Sequence, residues 1–209
     1  MSKRAGVFIT VEGIDGSGKS TQARRLAAVL GARLTREPGG SPGAEEIRKL
    51  LVEGAATRWS PETEILLFSA ARRDHVEKTI LPALAEGAIV VSDRFADSTR
   101  VYQGAARAAL RGKVDLLHAA MIGLEPDLTF VIDMDPAQAL KRGLARGHEE
   151  DRFESLGLAF QQALRAGFLA LADEFPQRVR VIDGNRSVDA VAADVAGIAE
   201  TFVRTALHG

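Results

Sequence analysis

Apolar residues in this chain gather into short blocks instead of alternating with polar ones. The block VFITVE at 7–12 is β-branched and apolar, the pattern of a strand covered on both faces. Four further strands are predicted in ARLTR at 32–36, GAIVVSD at 87–93, DLTFVID at 127–133 and RVRVID at 178–183. Helical patterns separate all five, beginning with KSTQARRLAAVL, which Gly31 closes. Strands alternating with helices predict an α/β fold: a five-stranded parallel sheet flanked by helices, with right-handed crossovers. The Ala/Leu-rich stretches LHAAMIGL and FLALADEF read as helix core. Proline and glycine cluster in REPGGSPG at 36–43, read as a loop of the site, and RGLARGHEEDRFE at 142–154 reads as a lid. There is no internal repeat or low-complexity tract. At 209 residues the expectation is one domain spanning 1–209.

Composition narrows the partners. With 27 basic and 28 acidic residues the net charge is -1, so no global field exists to hold nucleic acid, and any phosphate site must be local. The absence of cysteine excludes disulfides, thiolate zinc and a cysteine nucleophile, and suits a reducing cytoplasm. The N-terminal apolar run is too short for a signal segment, and no stretch of 18 apolar residues predicts a membrane span. His75, His118, His148 and His208 show no metal-binding spacing and read as surface or helix-capping residues.

The chemistry concentrates in GIDGSGKST at 13–21, a full G-x-x-x-x-G-K-S between a predicted strand and a predicted helix. Gly13, Gly16 and Gly18 let backbone N–H groups approach phosphate oxygens, with Ser17 and Thr21 in the same wrap and the helix's positive end behind them. Lys19 is expected to reach the β and γ phosphates, and the Ser20 hydroxyl to ligate Mg²⁺. IVVSDRF is a second nucleotide signature, an apolar strand ending in Asp93, which either joins the Mg²⁺ shell or caps the next helix. Switches, motors and kinases share these parts, although the base-reading N-K-x-D of GTPases is absent. Arg36 and Arg94 end the second and third strands, where two guanidinium groups converging on the loop would clamp a second phosphate. Phe68 and Arg72, four apart on one helix, offer a flat ring and a planar donor suited to a pyrimidine, although Phe68 taken alone reads as core rather than as a stacking ring. Asp15 is the oddity, because a carboxylate beside a triphosphate is costly unless a cation or donor meets it.

In order along the chain, FITVEGIDGSGKST, TREPGG, LLFSAARRDHV, SDRFADSTRVYQG, FVIDMDP and LARGHEEDRFE resemble the thymidylate kinase family. The resemblance implies a P-loop NTPase fold of nucleoside monophosphate kinase type, ATP as donor, dTMP as acceptor, Mg²⁺ as cofactor and a homodimer. It implies that Arg36 and Arg94 bind the dTMP phosphate, that thymine stacks on Phe68 with its O4 on Arg72, and that Thr99 and Gln103 lie near the base. Tyr102 would wall off a ribose 2′-hydroxyl, a filter of about tenfold to a hundredfold. Asp15 would accept a hydrogen bond from the 3′-hydroxyl of dTMP. The phosphate loop has Gly16 and Ser17 after Asp15, so the sequence is similar to the branch in which a lid arginine supplies the transition-state charge. Arg142, Arg146 and Arg152 are the arginines there, and Arg146 and Arg152 are the catalytic candidates. The rivals are a deoxynucleoside kinase, which would need a carboxylate base and no phosphate clamp, and a nucleotide-dependent switch without turnover.

Overall fold

A computed structural model of the chain describes residues 5–54, 58–105, 108–144 and 157–208. Its strands are β1 (Val7–Glu12), β2 (Arg33–Arg36), β3 (Ile89–Asp93), β4 (Leu128–Asp133) and β5 (Val179–Asp183), each within a residue or two of its predicted block. All pair in parallel in the order β2-β3-β1-β4-β5. The connection after β1 runs to one side of the sheet and that after β3 to the other, so their carboxyl ends flank a topological switch point, where such sheets bind ligands.

The helices are α1 (Lys19–Leu30), α2 (Pro42–Val52), α3 (Pro61–His75), α4 (Leu81–Ala85), α5 (Ala96–Thr99), α6 (Arg111–Leu117), α7 (Pro136–Leu144), α8 (Gly157–Glu174) and α9 (Val188–His208). Val7, Ile9 and Val11 point to one sheet face and pack with Leu26 of α1 and Val191 and Val195 of α9. On the other face Phe8 and Val90 meet Val76, Ile80 and Leu84, while Val131 and Val179 meet Leu164 and Phe168 of α8. Both faces of β1 are therefore dry, which is why its sequence does not alternate. α3 runs into α4 through a π turn at Val76–Ile80. Pro82 lacks an N–H and crowds the carbonyl four residues back, and the wider turn absorbs that. A second π turn at Arg100–Ala105 extends α5 and carries Tyr102 and Gln103.

Two expectations change. LHAAMIGL does form helix, but only His118, Ile122 and Leu124 of it are buried, and Met121 is 56% exposed: its apolar residues divide between core and surface. His75 and His118 are buried, not surface, residues. His75 bonds on both ring nitrogens, and His118 Nε2 lies 3.0 Å from Glu125. His208 ends α9, and His148 lies outside the described residues. Of the expected lid, Arg142 stands on α7, while Arg146 and Arg152 lie outside the described residues.

Candidate active site

The loop from Gly13 to Gly18 joins β1 to α1. Gly18 takes the N-cap position of α1 at φ 91°, with no side-chain cap and no acidic residue in the first turn, so the positive end of the helix is left for an anion. A Cβ added at Gly18 would meet nothing within 4 Å, whereas one at Gly16 would fall 1.9 Å from the carbonyl oxygen of Ala139 on α7. Glycine thus serves two ends here, an open cradle at Gly18 and a close backbone approach at Gly16. A cleft of about 320 Å³ runs from Gly16, Ser17, Gly18 and Thr21 past Arg142 to Gly184, Arg186 and Val188, joining the phosphate loop to the loop after β5.

Asp15 is where the loop meets the rest of the site. Its Oδ1 accepts from Lys19 Nζ at 2.9 Å and from Arg94 Nη2, and its Oδ2 accepts from the Tyr102 hydroxyl at 2.7 Å. Burial pushes the Asp15 carboxyl up, but the charges of Arg94 and Lys19 outweigh it and hold the group well below the usual carboxylate range. Burial, and then the charge of Arg94, lower the Lys19 ammonium, with Asp15 opposing. Burial also works against the Arg94 guanidinium, yet the charge of Asp15, with those of Glu12 and Asp93, raises it above its ordinary value. Two donors fill Oδ1, whereas Oδ2 has one and retains an acceptor site, suited to a hydroxyl.

Arg94 has φ 70°, the one positive value among described non-glycine residues. Several bonds hold this strained backbone: its N–H donates to the Val11 carbonyl at 3.0 Å, and Ser92 Oγ donates to its carbonyl at 2.7 Å. Glu12, fully buried at the end of β1, accepts from the Phe95 N–H at 2.7 Å and the Ser98 hydroxyl at 2.6 Å, and Ser98 Oγ accepts from Arg94 Nη1 at 2.8 Å. The guanidinium also lies over the Tyr102 ring at 5.0 Å. Tyr102, 8% exposed, packs edge-on against Phe160 and Phe168, as a wall should.

Arg36 is level with Asp93 in the sheet, one residue from Arg94, but its guanidinium bonds both oxygens of Glu45 on α2, at 3.0 and 3.1 Å. In this arrangement the two arginines hold separate carboxylates, Arg36 that of Glu45 and Arg94 that of Asp15. The Arg36–Glu45 pair is exposed and worth at most ~1 kcal/mol, which an arriving dianion can displace. Asp93 Oδ1 is buried without a partner, and the helix after it has Phe95 at its N-cap with no side-chain cap. Asp93 is therefore an orphaned acceptor and not a cap.

On α3, Phe68 is half-buried and Arg72 only 3% exposed. Arg72 donates through Nε to Glu37 at 2.8 Å and through Nη2 to Thr99 Oγ1 at 2.8 Å and the Phe95 carbonyl at 3.2 Å. Gln103 reaches Glu64 with its nitrogen at 3.4 Å and leaves Oε1 buried and unpartnered. The neighbouring Arg73 is exposed and turns to Glu77 and the Met121 carbonyl, away from these groups. Sequence reading gave no role to Glu12, Glu37, His75 or Ser98. The signals were the acid ending β1, the acid inside REPGG and the histidine three residues past Arg72, on the same helix face.

A phosphate loop heading this parallel sheet, with an arginine-bearing second site across the switch point, defines a P-loop nucleotide-binding protein of the phosphotransferase kind. The family model Thymidylate kinase matches residues 11–195. Curated relatives named thymidylate kinase include that of Dinoroseobacter shibae, 69% identical over 91% of this chain and 94% of the relative, and that of Ruegeria pomeroyi, 63% identical over 95% and 96%. The crystal structure of thymidylate kinase from Ehrlichia chaffeensis superposes with TM-score 0.73 at 35% identity, covering 93% of this chain and 98% of that one. The chain belongs to the thymidylate kinase family and is a kinase.

Proposed function

We propose that the chain moves the γ-phosphoryl group of ATP onto the phosphate of dTMP, giving dTDP and ADP, by in-line transfer. The observation that carries this reading is the position of Asp15, whose Oδ1 joins Lys19 of the donor site to Arg94 of the acceptor site while its Oδ2 takes the Tyr102 hydroxyl. The acceptor oxygen is already ionised, so the reaction needs neither a general base nor a covalent intermediate. Positioning and charge do the work. Gly13 to Thr21 cradle the triphosphate and Lys19 leaves Asp15 for it. Arg94, joined by Arg36 once Glu45 is displaced, holds the dTMP phosphate. Phe68 stacks the base, with Arg72, Thr99 and Gln103 at its edge. Asp15 Oδ2 receives the 3′-hydroxyl, and Tyr102 closes the space beside the sugar. Arg146 or Arg152, outside the described residues, supplies charge to the moving phosphoryl group.

Asp93 Oδ1 and the Ser20 hydroxyl fit Mg²⁺, since the buried carboxylate oxygen has no other partner and no cluster of three or more His, Cys, Asp or Glu competes among the described residues. A Mg²⁺ ion held there would supply charge neutralisation to the ATP phosphates. The same reading makes the chain a single kinase domain that acts on small molecules in the cytoplasm, and no helix among the described residues is long and apolar enough to cross a membrane. It also makes the chain a homodimer, for which α3 and α6, packed together through Ile65 and Val114, offer exposed Leu66 (57%) and Leu116 (70%).

A coupled ADP-release assay with dTMP, dUMP, UMP, dCMP and thymidine as acceptors tests the reading. The expected order puts dTMP first, with dUMP behind it and thymidine inert. Turnover of thymidine in preference to dTMP would establish the deoxynucleoside kinase instead, and no ADP from any acceptor would leave a nucleotide switch.

A further inference from the structure

Behind Arg72 lies a chain of buried groups that the proposed reaction does not use. Glu37 Oε2 takes the Arg72 Nε–H at 2.8 Å, and its other oxygen, Oε1, lies 3.1 Å from His75 Nδ1. A carboxylate only accepts, so Nδ1 carries the proton, and Nε2 accepts from the Thr35 hydroxyl at 2.6 Å. Nothing in the chain of bonds is loose: His75 is 0% exposed, Glu37 6% and Arg72 3%. Glu37 is anchored by its own N–H to the Asp93 carbonyl at 2.9 Å, and Thr35 sits in β2. At Gly40 (φ 87°) an added Cβ would fall 2.4 Å from His75 Nε2, so the loop after β2 wraps the imidazole closely. With Nε and Nη2 engaged by Glu37, Thr99 and Phe95, and the plane lying over the Phe95 ring at 5.2 Å, Arg72 has Nη1 left to offer.

We propose that Glu37 and His75 are positioning residues for recognition of the acceptor base, which rests on the function proposed above. They lock the plane of Arg72, so Nη1 is a fixed donor and the enzyme favours a 4-oxo pyrimidine over a 4-amino one. The physical basis is the penalty for a mismatched pair. A 4-oxo group accepts from Nη1, whereas a 4-amino group sets its own N–H against the Nη1 donor and loses that bond. That penalty holds only while the guanidinium cannot turn aside. A free arginine has several rotatable bonds and would swing to water, admitting the amino analogue and binding the oxo substrate less tightly.

The test is steady-state kinetics of the full chain with dTMP and dCMP, on wild type, Glu37→Gln, His75→Phe and His75→Asn, with thermal melts alongside. The phenylalanine keeps the ring volume and removes both hydrogen bonds. The asparagine restores a donor toward Glu37. Glu37→Gln and His75→Phe are expected to raise KM for dTMP at least tenfold and to cut the dTMP/dCMP ratio of kcat/KM at least tenfold. KM for ATP should stay within about twofold, and His75→Asn should recover most of the ratio. A merely structural role would lower the melting temperature and leave the ratio where it was, which overturns the proposal. An asparagine no better than phenylalanine overturns it as well. Should His75→Phe fail to fold, Glu37→Gln decides on the same ratio. Wild-type enzyme that turns over dTMP while the variants keep its selectivity refutes this inference alone. Wild-type enzyme inactive on dTMP refutes the proposed function itself.

Discussion

Replacing Glu12 by glutamine should remove a pH dependence of stability that the native protein carries. Burial, and then the charge of Asp97, push the Glu12 carboxyl up to about 7 from an ordinary value of 4.5, against the lowering effects of Ser98, Arg94 and the Phe95 N–H. Below pH 4.5 folded and unfolded chains are both protonated at this group, and it contributes nothing. Between 4.5 and 7 the folded state holds a proton that the unfolded state has lost, so stability falls as pH rises, by about 1.4 kcal/mol per unit. Across the interval, 7 minus 4.5, the loss comes to roughly 3 kcal/mol, and it remains in full above pH 7. Glutamine has no proton to lose and can still accept from the Phe95 N–H. Urea melts of both proteins at pH 5, 6, 7 and 8 give the difference directly, since every other titrating group is common to the two. Glu12→Gln should gain on wild type steadily up to about pH 7 and then level off. Parallel stability curves would refute the reasoning, as would a relative gain that continues above pH 8. The gain in stability should not extend to catalysis. The glutamine amide would donate to Ser98 where a carboxylate accepts, loosening the bond by which Ser98 holds Arg94, and kcat at pH 8 is expected to fall about tenfold, the effect of roughly one hydrogen bond.

Arg36→Ala should raise KM for dTMP at least tenfold with Mg·ATP affinity within twofold in a binding titration, while equal weakening of both ligands would remove Arg36 from the acceptor clamp. Its stability should hardly change, because only the exposed pair with Glu45 is lost. Gly16→Ala meets both a φ of 85° and a carbonyl oxygen 1.9 Å away, so thermal melts should show a loss of about 2 kcal/mol or more, together with weakened ATP binding.

The inner strands β1, β3 and β4 could be read from the sequence because each lies between two layers and is apolar over most of its length, whereas the edge strands β2 and β5 are partly exposed and carry arginines. The phosphate loop was equally plain, its glycines and lysine being set by a local turn. What escaped depends on partners far along the chain. His75 gives no local sign of burial, and its bonds to Thr35 and Glu37 close only when the loop after β2 folds over α3, nearly forty residues apart. Arg36 and Arg94 were placed at the correct ends of their strands, but strand position fixes a backbone and leaves a long side chain free to choose Glu45 or Asp15. LHAAMIGL shows the same limit from the apolar side. Helical periodicity marks an apolar face without saying whether this chain or another covers it.

The resting site is a small electrolyte complete in itself. Lys19 and Arg94 would repel one another, and Asp15 stands between them as a resident counterion, bonded to both. On the function proposed above, nucleotide phosphates would then enter by exchange for this carboxylate, with much of their attraction cancelled in advance, and a single anion such as inorganic phosphate would meet the same cost.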